Sequence, residues 1–205
     1  MRTHSYSSLK AWVTCPRQYK ALYIDKSVRR TSSPALERGN RIHQALEDAV
    51  NGGAEPDVWT PDGLIHKLST GSAEAEVELA IRRDGTPCGF WDKDAWLRGK
   101  IDVYMGADGR ALMIDWKTGK VYPDALQADI YATMARCTWG SDMKVSFYFV
   151  YVDQKVIHPE YPDSHAEERV RALVDRVEGD EHYTPQPCFA CRFCPVNWCE
   201  YNDAR

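Results

Sequence analysis

The chain has 205 residues and a formal net charge of −4, which fits one soluble domain that is large enough to bury a core. Its longest apolar run, residues 147–152, is too short to cross a membrane, and residues 1–10 lack the apolar stretch of a secretory signal. The negative charge argues against a surface coated with nucleic acid, but it is compatible with a nuclease whose carboxylates bind divalent cations.

The first third of the chain predicts helices. Ser7 or Ser8 is expected to cap a first helix, which Cys15-Pro16 should end before a second short turn. Ser33-Pro34 predicts the start of a longer helix that runs to about residue 50. Apolar side chains at helical spacing predict its buried stripe: Leu36, Ile42, Leu46 and Val50. Residues 51–63 read as a loop, and residues 64–68 as a short helix.

The later part of the chain alternates strands with helices. Strands are predicted over residues 74–81, 96–105 and 111–116, and the last two form a hairpin around residues 106–109. A helix is expected over residues 125–137, and the continuous apolar run 145–152 predicts a strand at the centre of the sheet. Residues 164–167 match a capping box that would start the last helix. This order predicts an α/β domain with a mixed sheet.

We expect a single domain over residues 1–205. Residues 1–70 would form a helical part that includes the first cluster cysteine, and residues 71–160 would form the core. Residues 161–205 would supply a terminal helix and a cysteine-rich segment.

Two carboxylates stand out in the predicted sheet. Asp102 and Asp115 lie on neighbouring strands of the hairpin, so they can converge on one hard divalent cation. Lys117 follows Asp115 by two residues and should point to the same face. Asp115 interrupts an apolar strand, where an uncompensated charge is costly. A bound metal and a phosphate would compensate that charge, although a simple ion pair with Lys117 is the alternative.

The surrounding motifs are more specific than this pair. Three follow one another in the core: Gly99-Lys100-Ile101-Asp102, Asp115-Trp116-Lys117-Thr118-Gly119, and Gln127 with Tyr131. Upstream stand Gly39, His43 and Glu47 at helical spacing, then Ser5-Tyr6-Ser7-Ser8-Leu9 and Cys15-Pro16-Arg17-Gln18-Tyr19 near the beginning. In order and spacing the whole set resembles the RecB-type branch of the PD-(D/E)XK nuclease superfamily.

The resemblance implies a restriction-endonuclease-like core, a mixed β-sheet flanked by helices, and a site that binds Mg²⁺ or Mn²⁺. His43, Asp102, Asp115 and the Trp116 carbonyl would be its metal ligands. Lys117 would contact the scissile phosphate and orient the attacking water, and Gln127 and Tyr131 would line the site. Without the motif, His43 would be interpreted as an ordinary core histidine. Glu76 and Glu78 are interpreted as solvated charges on a strand edge, although one of them could support the site.

Seven cysteines are present, and four of them lie within residues 188–199. Their spacing suits zinc and an iron–sulfur cluster equally well. The chain also resembles the RecB-type nucleases that carry a 4Fe–4S cluster, such as the AddB-type helicase-nucleases and the CRISPR-associated adaptation nuclease. That resemblance implies Cys15, Cys191, Cys194 and Cys199 as ligands, so that the cluster staples a helical and loop cap to the core. Cys188 is a spare thiol or replaces one of the four, and Cys88 and Cys137 are interpreted as ordinary thiols.

The resemblance therefore implies a metal-dependent exonuclease that acts on DNA ends, preferentially single-stranded, in recombination, repair or DNA processing. Such proteins occur as free-standing phage or CRISPR-associated enzymes, which points to the cytoplasm of a bacterial or phage-infected cell. The sequence lacks the G-x-x-x-x-G-K-S/T phosphate loop of a helicase, so a helicase or recombination partner would have to unwind duplex DNA. The oligomeric state stays open.

Other functions remain compatible with the sequence. These are a structure-specific endonuclease, a non-catalytic nucleic-acid-binding module, and a zinc-stapled adaptor. A local basic path for DNA could involve Arg29-Arg30, Arg38, Arg41 and Arg82-Arg83, although each of these arginines alone is interpreted as surface charge.

Overall fold

A computed structural model describes residues 2–29 and 32–202. Its helices are α1 (Tyr6–Thr14), α2 (Pro16–Tyr19), α3 (Pro34–Val50), α4 (Leu64–Thr70), α5 (Ala125–Trp139) and α6 (Ala166–Glu178). A π-helical turn spans Lys20–Ile24, and a 3₁₀ turn spans Phe189–Phe193. The strands are β1 (Glu74–Ile81), β2 (Leu97–Ala107), β3 (Arg110–Lys117), β4 (Lys144–Tyr151) and β5 (Val156–Glu160). Over the described residues, no helix is long and apolar enough to span a membrane.

The five strands form one mixed sheet in the order β1-β2-β3-β4-β5, which confirms the predicted α/β class. β3 and β4 are parallel and the other neighbours are antiparallel. A parallel pair needs a crossover, and α5 provides it. The predicted hairpin turn is the two residues Asp108 and Gly109, which both have positive φ as this type of turn requires.

The prediction that residues 145–152 form the central strand is wrong. β3 is central, and β4 lies between β3 and the edge strand β5, which the sequence analysis missed. A continuous apolar run shows that both faces of a strand are buried, and an interior strand next to an edge satisfies that condition. β5 is short, largely exposed and contains Pro159, a residue tolerated on edge strands.

Helices cover both faces of the sheet, so each face has its own core. One core joins α1, α5 and α6 to the sheet through residues such as Leu9, Ile130 and Val174. The other joins α3 and α4 to the opposite face through residues such as Leu46 and Leu68. The two-sided burial explains why β3 has four consecutive apolar residues, 111–114.

Several predicted helix boundaries need correction. Ser5 is the N-cap of α1, and Ser8 is its N3 partner in a capping box. Leu36 is 50% exposed rather than part of the buried stripe, because it lies in the first turn of α3, ahead of the core. The last helix has no capping box at Ser164. Its N-cap is His165, whose backbone N–H donates to the Asp163 carboxylate at 3.0 Å instead.

Gly99 lets α5 approach β2 closely. A Cβ atom at this position would lie 2.7 Å from Tyr131 Cε1 and 2.9 Å from Met134 Cε. At the same level the Tyr131 hydroxyl donates to the Lys100 carbonyl at 2.7 Å. The glycine of the G-x-x-D motif is therefore a packing requirement, because it sets the distance between α5 and the strand that carries Asp102.

We predict that Gly99→Ala lowers the free energy of unfolding by about 1–3 kcal/mol, because the added methyl group overpacks this contact. Urea unfolding would measure the loss. Gly39→Ala is the matched control: its new Cβ would meet only the Thr118 hydroxyl, at 3.3 Å, and alanine favours the helix interior. A Gly99→Ala protein as stable as wild type would contradict the close packing of α5.

Candidate active site

The site lies where β2 and β3 separate. Their backbone pairing ends at Val103 and Ile114, so the next residues along β3 have no ladder partner on β2. The Trp116 backbone N–H donates instead to Asp102 Oδ2, at 2.7 Å. A carboxylate thus replaces a carbonyl in the sheet, and the two strands open around it.

Side-chain alternation is reset at the same level of β1 and β2. On β1, Ala75 packs in the α3 core whereas Val77 packs in the α5 core. On β2, Ile101 and Val103 likewise pack on opposite faces. Residues two apart in a regular strand face the same side, so a twist must intervene, and Glu76 has a φ of +57°. The twist places Glu76 and Asp102 between the two cores.

Glu76 differs from its sequence-based interpretation. It is not a solvated strand-edge charge: its side chain is 22% exposed and forms an ion pair with Lys100. It also lines the same cavity as His43 and Asp102. The feature that could have identified Glu76 is its position opposite Asp102 on the neighbouring strand. The sequence pattern alone does not show where the alternation of side chains is reset. Glu78 is exposed, as expected.

Asp115, Lys117 and Gln127 form one polar cluster. Lys117 Nζ lies 2.6 Å from Asp115 Oδ2 and donates to Gln127 Oε1 at 2.9 Å. Gln127 Nε2 donates in turn to Asp115 Oδ1. The α5 glutamine therefore bridges a carboxylate and an ammonium group that belong to the same strand, and it fixes both.

The carboxylate of Asp115 is only partly compensated. Its Oδ2 is buried and faces the Lys117 ammonium at 2.6 Å. Burial, followed by the charge of Asp102, raises the pKa of Asp115 to about 6. A divalent cation beside this carboxylate would complete the compensation, so the donor chemistry fits a divalent metal.

Helix α3 places His43 beside the sheet. The Arg38 guanidinium pairs with both oxygens of Asp153, at 2.9 and 2.6 Å, and Asp153 also accepts the Gly119 N–H at 2.7 Å. These bonds tie α3 to the turn that follows Lys117. His43 Nδ1 then lies 3.3 Å from Asp102 Oδ2. Burial lowers the pKa of His43, but the hydrogen bond to Asp102 and the charges of Asp102 and Asp115 together outweigh it, so the net shift is upward.

Two cavities adjoin at Asp102. One, of about 440 Å³, is lined by His43, Glu47 and Glu76 together with Asp102. The other, of about 400 Å³, is lined by Asp115, Lys117, Gln127 and Tyr131 together with Asp102. The structure thus brings all six predicted active-site side chains to these two adjoining cavities. Trp116 contributes its backbone there, while its side chain is buried in the core.

Tyr6 also lines the second cavity and was not singled out from the sequence. Its hydroxyl donates to Asp124 Oδ2 at 2.9 Å, and Lys117 Nζ lies 5.9 Å from its ring centroid. On another side Lys117 Nζ lies 5.4 Å from the Phe149 ring. The serine-rich N-terminal motif contains Tyr6, so that motif could have indicated it.

The candidate cysteines surround a different cavity. Cys15, Cys191, Cys194 and Cys199 line it together with the exposed Cys188. Each of the four predicted ligands accepts an N–H hydrogen bond, from Gln186, Cys188, Gln18 and Arg17 respectively. Sulfurs that accept N–H bonds are typical of thiolates that hold a metal or a cluster.

Neither constellation closes around a single point. Among residues 2–29 and 32–202, no three His, Cys, Asp or Glu side chains are arranged so that they could hold a metal ion. The residue types fit the groups that the sequence predicts, namely oxygen and imidazole donors at Asp102 and thiol donors at Cys15.

Three of the six arginines of the suggested basic path pair with carboxylates of the fold. Arg38 pairs with Asp153, Arg82 with Asp92 and Asp94, and Arg83 with Asp175 and Glu178. Their charges are neutralised locally, which agrees with the interpretation of each alone as surface charge. Arg30 lies outside the described residues.

Comparison with known proteins identifies the family. The model of the PD-(D/E)XK nuclease superfamily matches residues 3–79 and 65–200, which include every predicted active-site residue. The chain belongs to the PD-(D/E)XK nuclease superfamily. The coarse reading of the motifs as those of a nuclease is therefore confirmed, and the nuclease family implies a DNA substrate.

Solved structures share the fold of this PD-(D/E)XK protein. The crystal structure of SSO0001 is similar with a TM-score of 0.60 and 18% sequence identity, over 98% of this chain and 87% of that chain. At this identity the likeness concerns the fold alone. No curated protein matches the sequence.

We predict that Asp115→Asn stabilises the metal-free protein by about 1–3 kcal/mol at neutral pH. Because the folded pKa of Asp115 is raised to about 6 from an ordinary 3.8, the folded state keeps a proton that the unfolded chain releases. Wild-type stability therefore falls as the pH rises from about 4 to 6, and asparagine does not undergo this loss.

Urea unfolding in chelator at a series of pH values would measure the difference between the two proteins, which should vanish below about pH 4. Asp62→Asn, at an exposed aspartate, is the control and should show no such trend. A pH-independent difference for Asp115→Asn would contradict the raised pKa.

Proposed function

We propose that this chain is a Mg²⁺- or Mn²⁺-dependent deoxyribonuclease that digests DNA from its ends, with single strands as the preferred substrate. The observation that carries the proposal is the position of Lys117. Its ammonium lies 2.6 Å from a buried Asp115 oxygen, and it borders the same cavity as Asp102. An ion pair with a purely structural role would not need a cavity in front of it.

His43, Asp102, Asp115 and the Trp116 carbonyl would hold the divalent cation. When bound there, the cation supplies a water of lowered pKa and neutralises charge on the phosphate. The Glu76 carboxylate lies beside these donors, where it can accept a hydrogen bond from a water molecule.

The remaining side chains position the reacting groups and stabilise charge on the phosphate. Lys117 can donate to a non-bridging phosphate oxygen, where charge grows in the transition state. Gln127 holds Lys117 and Asp115 at a fixed separation through its two hydrogen bonds. Tyr131 bonds the Lys100 carbonyl and so fixes the strand that carries Asp102. This division of roles suits phosphodiester hydrolysis, in which placement and electrostatics do most of the catalysis.

The preference for ends, and the expectation that a separate helicase unwinds duplex DNA, rest on the RecB-type motifs. The same motifs support a 4Fe–4S cluster held by Cys15, Cys191, Cys194 and Cys199. Such a cluster would join the first helices to the final segment. Because it would close a loop of nearly the whole chain, it would act as a structural clasp and take no part in hydrolysis.

We expect Lys117→Ala to lower the rate of DNA cleavage by at least about 100-fold, since it removes charge stabilisation at the phosphate. The measurement is digestion of end-labelled linear single-stranded DNA with Mg²⁺ or Mn²⁺. Lys67→Ala is the matched control, because Lys67 is an exposed lysine of α4 outside both cavities.

Circular single-stranded DNA separates the modes of cleavage, because an exonuclease leaves it intact. Digestion of the circle would overturn the assignment to ends, and activity that survives Lys117→Ala would place the active site elsewhere. Metal-loaded protein that cuts no DNA would refute the nuclease proposal itself.

We expect Cys199→Ala to lose the iron and to destabilise the fold by about 4–5 kcal/mol, the value for opening a cross-link across so long a loop. Iron content and thermal unfolding of anaerobically purified protein would measure both effects. Cys137→Ala is the control, because Cys137 lies outside the cysteine cavity. If the wild-type protein is colourless and contains zinc, zinc takes the place of iron in this proposal. Unchanged metal content and an unchanged unfolding temperature in Cys199→Ala would refute the structural clasp.

A further inference from the structure

An aromatic pair on the loop between β1 and β2 reaches the active-site cavity through one of its members, Phe90. Phe90 and Arg98 line the same cavity as Asp115 and Lys117, and Trp91 follows Phe90 in the chain. Trp91 is 74% exposed, so its indole contributes little to the core. A large exposed aromatic ring beside a cavity marks a surface built for contact.

The two rings and the arginine form one unit. The ring centroids of Phe90 and Trp91 are 5.0 Å apart and the rings are nearly perpendicular, at 82°. Arg98 Cζ lies 4.7 Å from the Trp91 centroid and 5.2 Å from the Phe90 centroid. The Arg98 guanidinium also donates to the Phe90 carbonyl at 3.3 Å. The guanidinium thereby holds Trp91 in place while the ring stays open to solvent.

The loop that carries these rings is tied down. The Asp92 carboxylate accepts the Gly89 N–H at 2.9 Å. Arg82, at the end of β1, donates to Asp92 at 3.3 Å, to Asp94 at 2.5 Å and to the Pro87 carbonyl at 3.0 Å. A surface held by this many bonds is preorganised, so a ligand that binds it loses less free energy in ordering the loop.

Arg98 also differs electrostatically from its cationic neighbours. Lys100 pairs with Glu76 and Lys117 pairs with Asp115. Within the described part of the chain, no ion pair involves Arg98. Its positive charge therefore remains available at the cavity mouth, where it favours an anionic ligand.

A strand of DNA that enters the cavity has both properties that this surface requires. Its phosphates are anionic, and each base offers a flat π-face that stacks on an aromatic ring whatever the sequence. In a duplex those faces are already stacked on neighbouring bases, so an unpaired base is the form that can use Trp91.

We propose that Trp91, supported by Phe90 and Arg98, is a stacking platform for an unpaired nucleobase next to the scissile phosphate. The inference rests on the proposed nuclease function and deepens it, because it assigns the preference for single-stranded DNA to a particular surface. Trp91 is the residue that contacts the base, whereas Arg98 and Arg82 are positioning residues.

Binding without cleavage tests the platform. Fluorescence anisotropy would give the affinity of the whole protein, in EDTA, for a short labelled oligothymidylate. Trp91→Ala should bind about 10-fold more weakly, the size of one base–aromatic stack, and Trp91→Phe should retain most of the affinity. Tyr161→Ala is the matched control: Tyr161 is also an exposed aromatic, 64% accessible, and lines a cavity without any site residue.

An oligonucleotide with abasic sites distinguishes stacking from a general loss of structure. Wild type and Trp91→Ala should bind it equally, because it has no base to stack. Equal affinity of the two proteins for oligothymidylate would overturn the platform. An equal loss on normal and abasic DNA would also overturn it, because the defect would not then depend on the base.

The binding assay is independent of the nuclease proposal. Trp91-dependent binding by a protein that never cleaves after metal is added would refute the nuclease and leave the platform standing. If the protein cleaves DNA but Trp91→Ala binds oligothymidylate with full affinity, the platform is refuted and the nuclease proposal stands.

Discussion

The arrangement of this site depends on one buried carboxylate. Asp115 lies on the central strand between two apolar cores, where an ionised group is costly unless other groups compensate for it. Lys117 and Gln127 supply part of the compensation from the same strand and from α5. The charge that they leave uncompensated, seen in the raised pKa of Asp115, makes the site suitable for a cation. A buried charge that its neighbours do not fully compensate thus distinguishes a reactive centre from an ordinary ion pair.

Rigid contacts outside the site determine where its parts lie. Gly99 sets the distance from α5 to β2, and the Arg38–Asp153 pair fixes α3 against the turn after β3. The donors from three different elements are therefore held by packing and by bonds outside the site as well as by their bonds to one another. A site built in this way keeps its geometry when its own charges change, as they must when a metal or a phosphate arrives.

Much of the fold and of the site could be predicted from the sequence, because spacing along a strand or helix fixes which side chains share a face. That rule placed Asp102, Asp115 and Lys117 correctly on neighbouring strands. It failed at Glu76, where a left-handed residue resets the alternation. It also could not reveal Trp91, because a loop has no period, or the carboxylate partners of Arg38, which are distant in sequence. The spacing of residues along the sequence predicts helices and strands, whereas ion pairs and loop surfaces depend on the tertiary fold.

The two ends of the described chain are interlocked. His4 contacts Glu178, Trp12 bonds Asp180, and the Cys15 sulfur accepts the Gln186 N–H. During synthesis the first helix therefore leaves the ribosome more than 160 residues ahead of its partners. At about 5–20 residues per second, it waits roughly 8–30 seconds for α6 and the final segment, although the sheet and α5 can cover part of its apolar face earlier. The protein is thus exposed to chaperones and proteases until the last segment arrives, even though its central hairpin can already have formed.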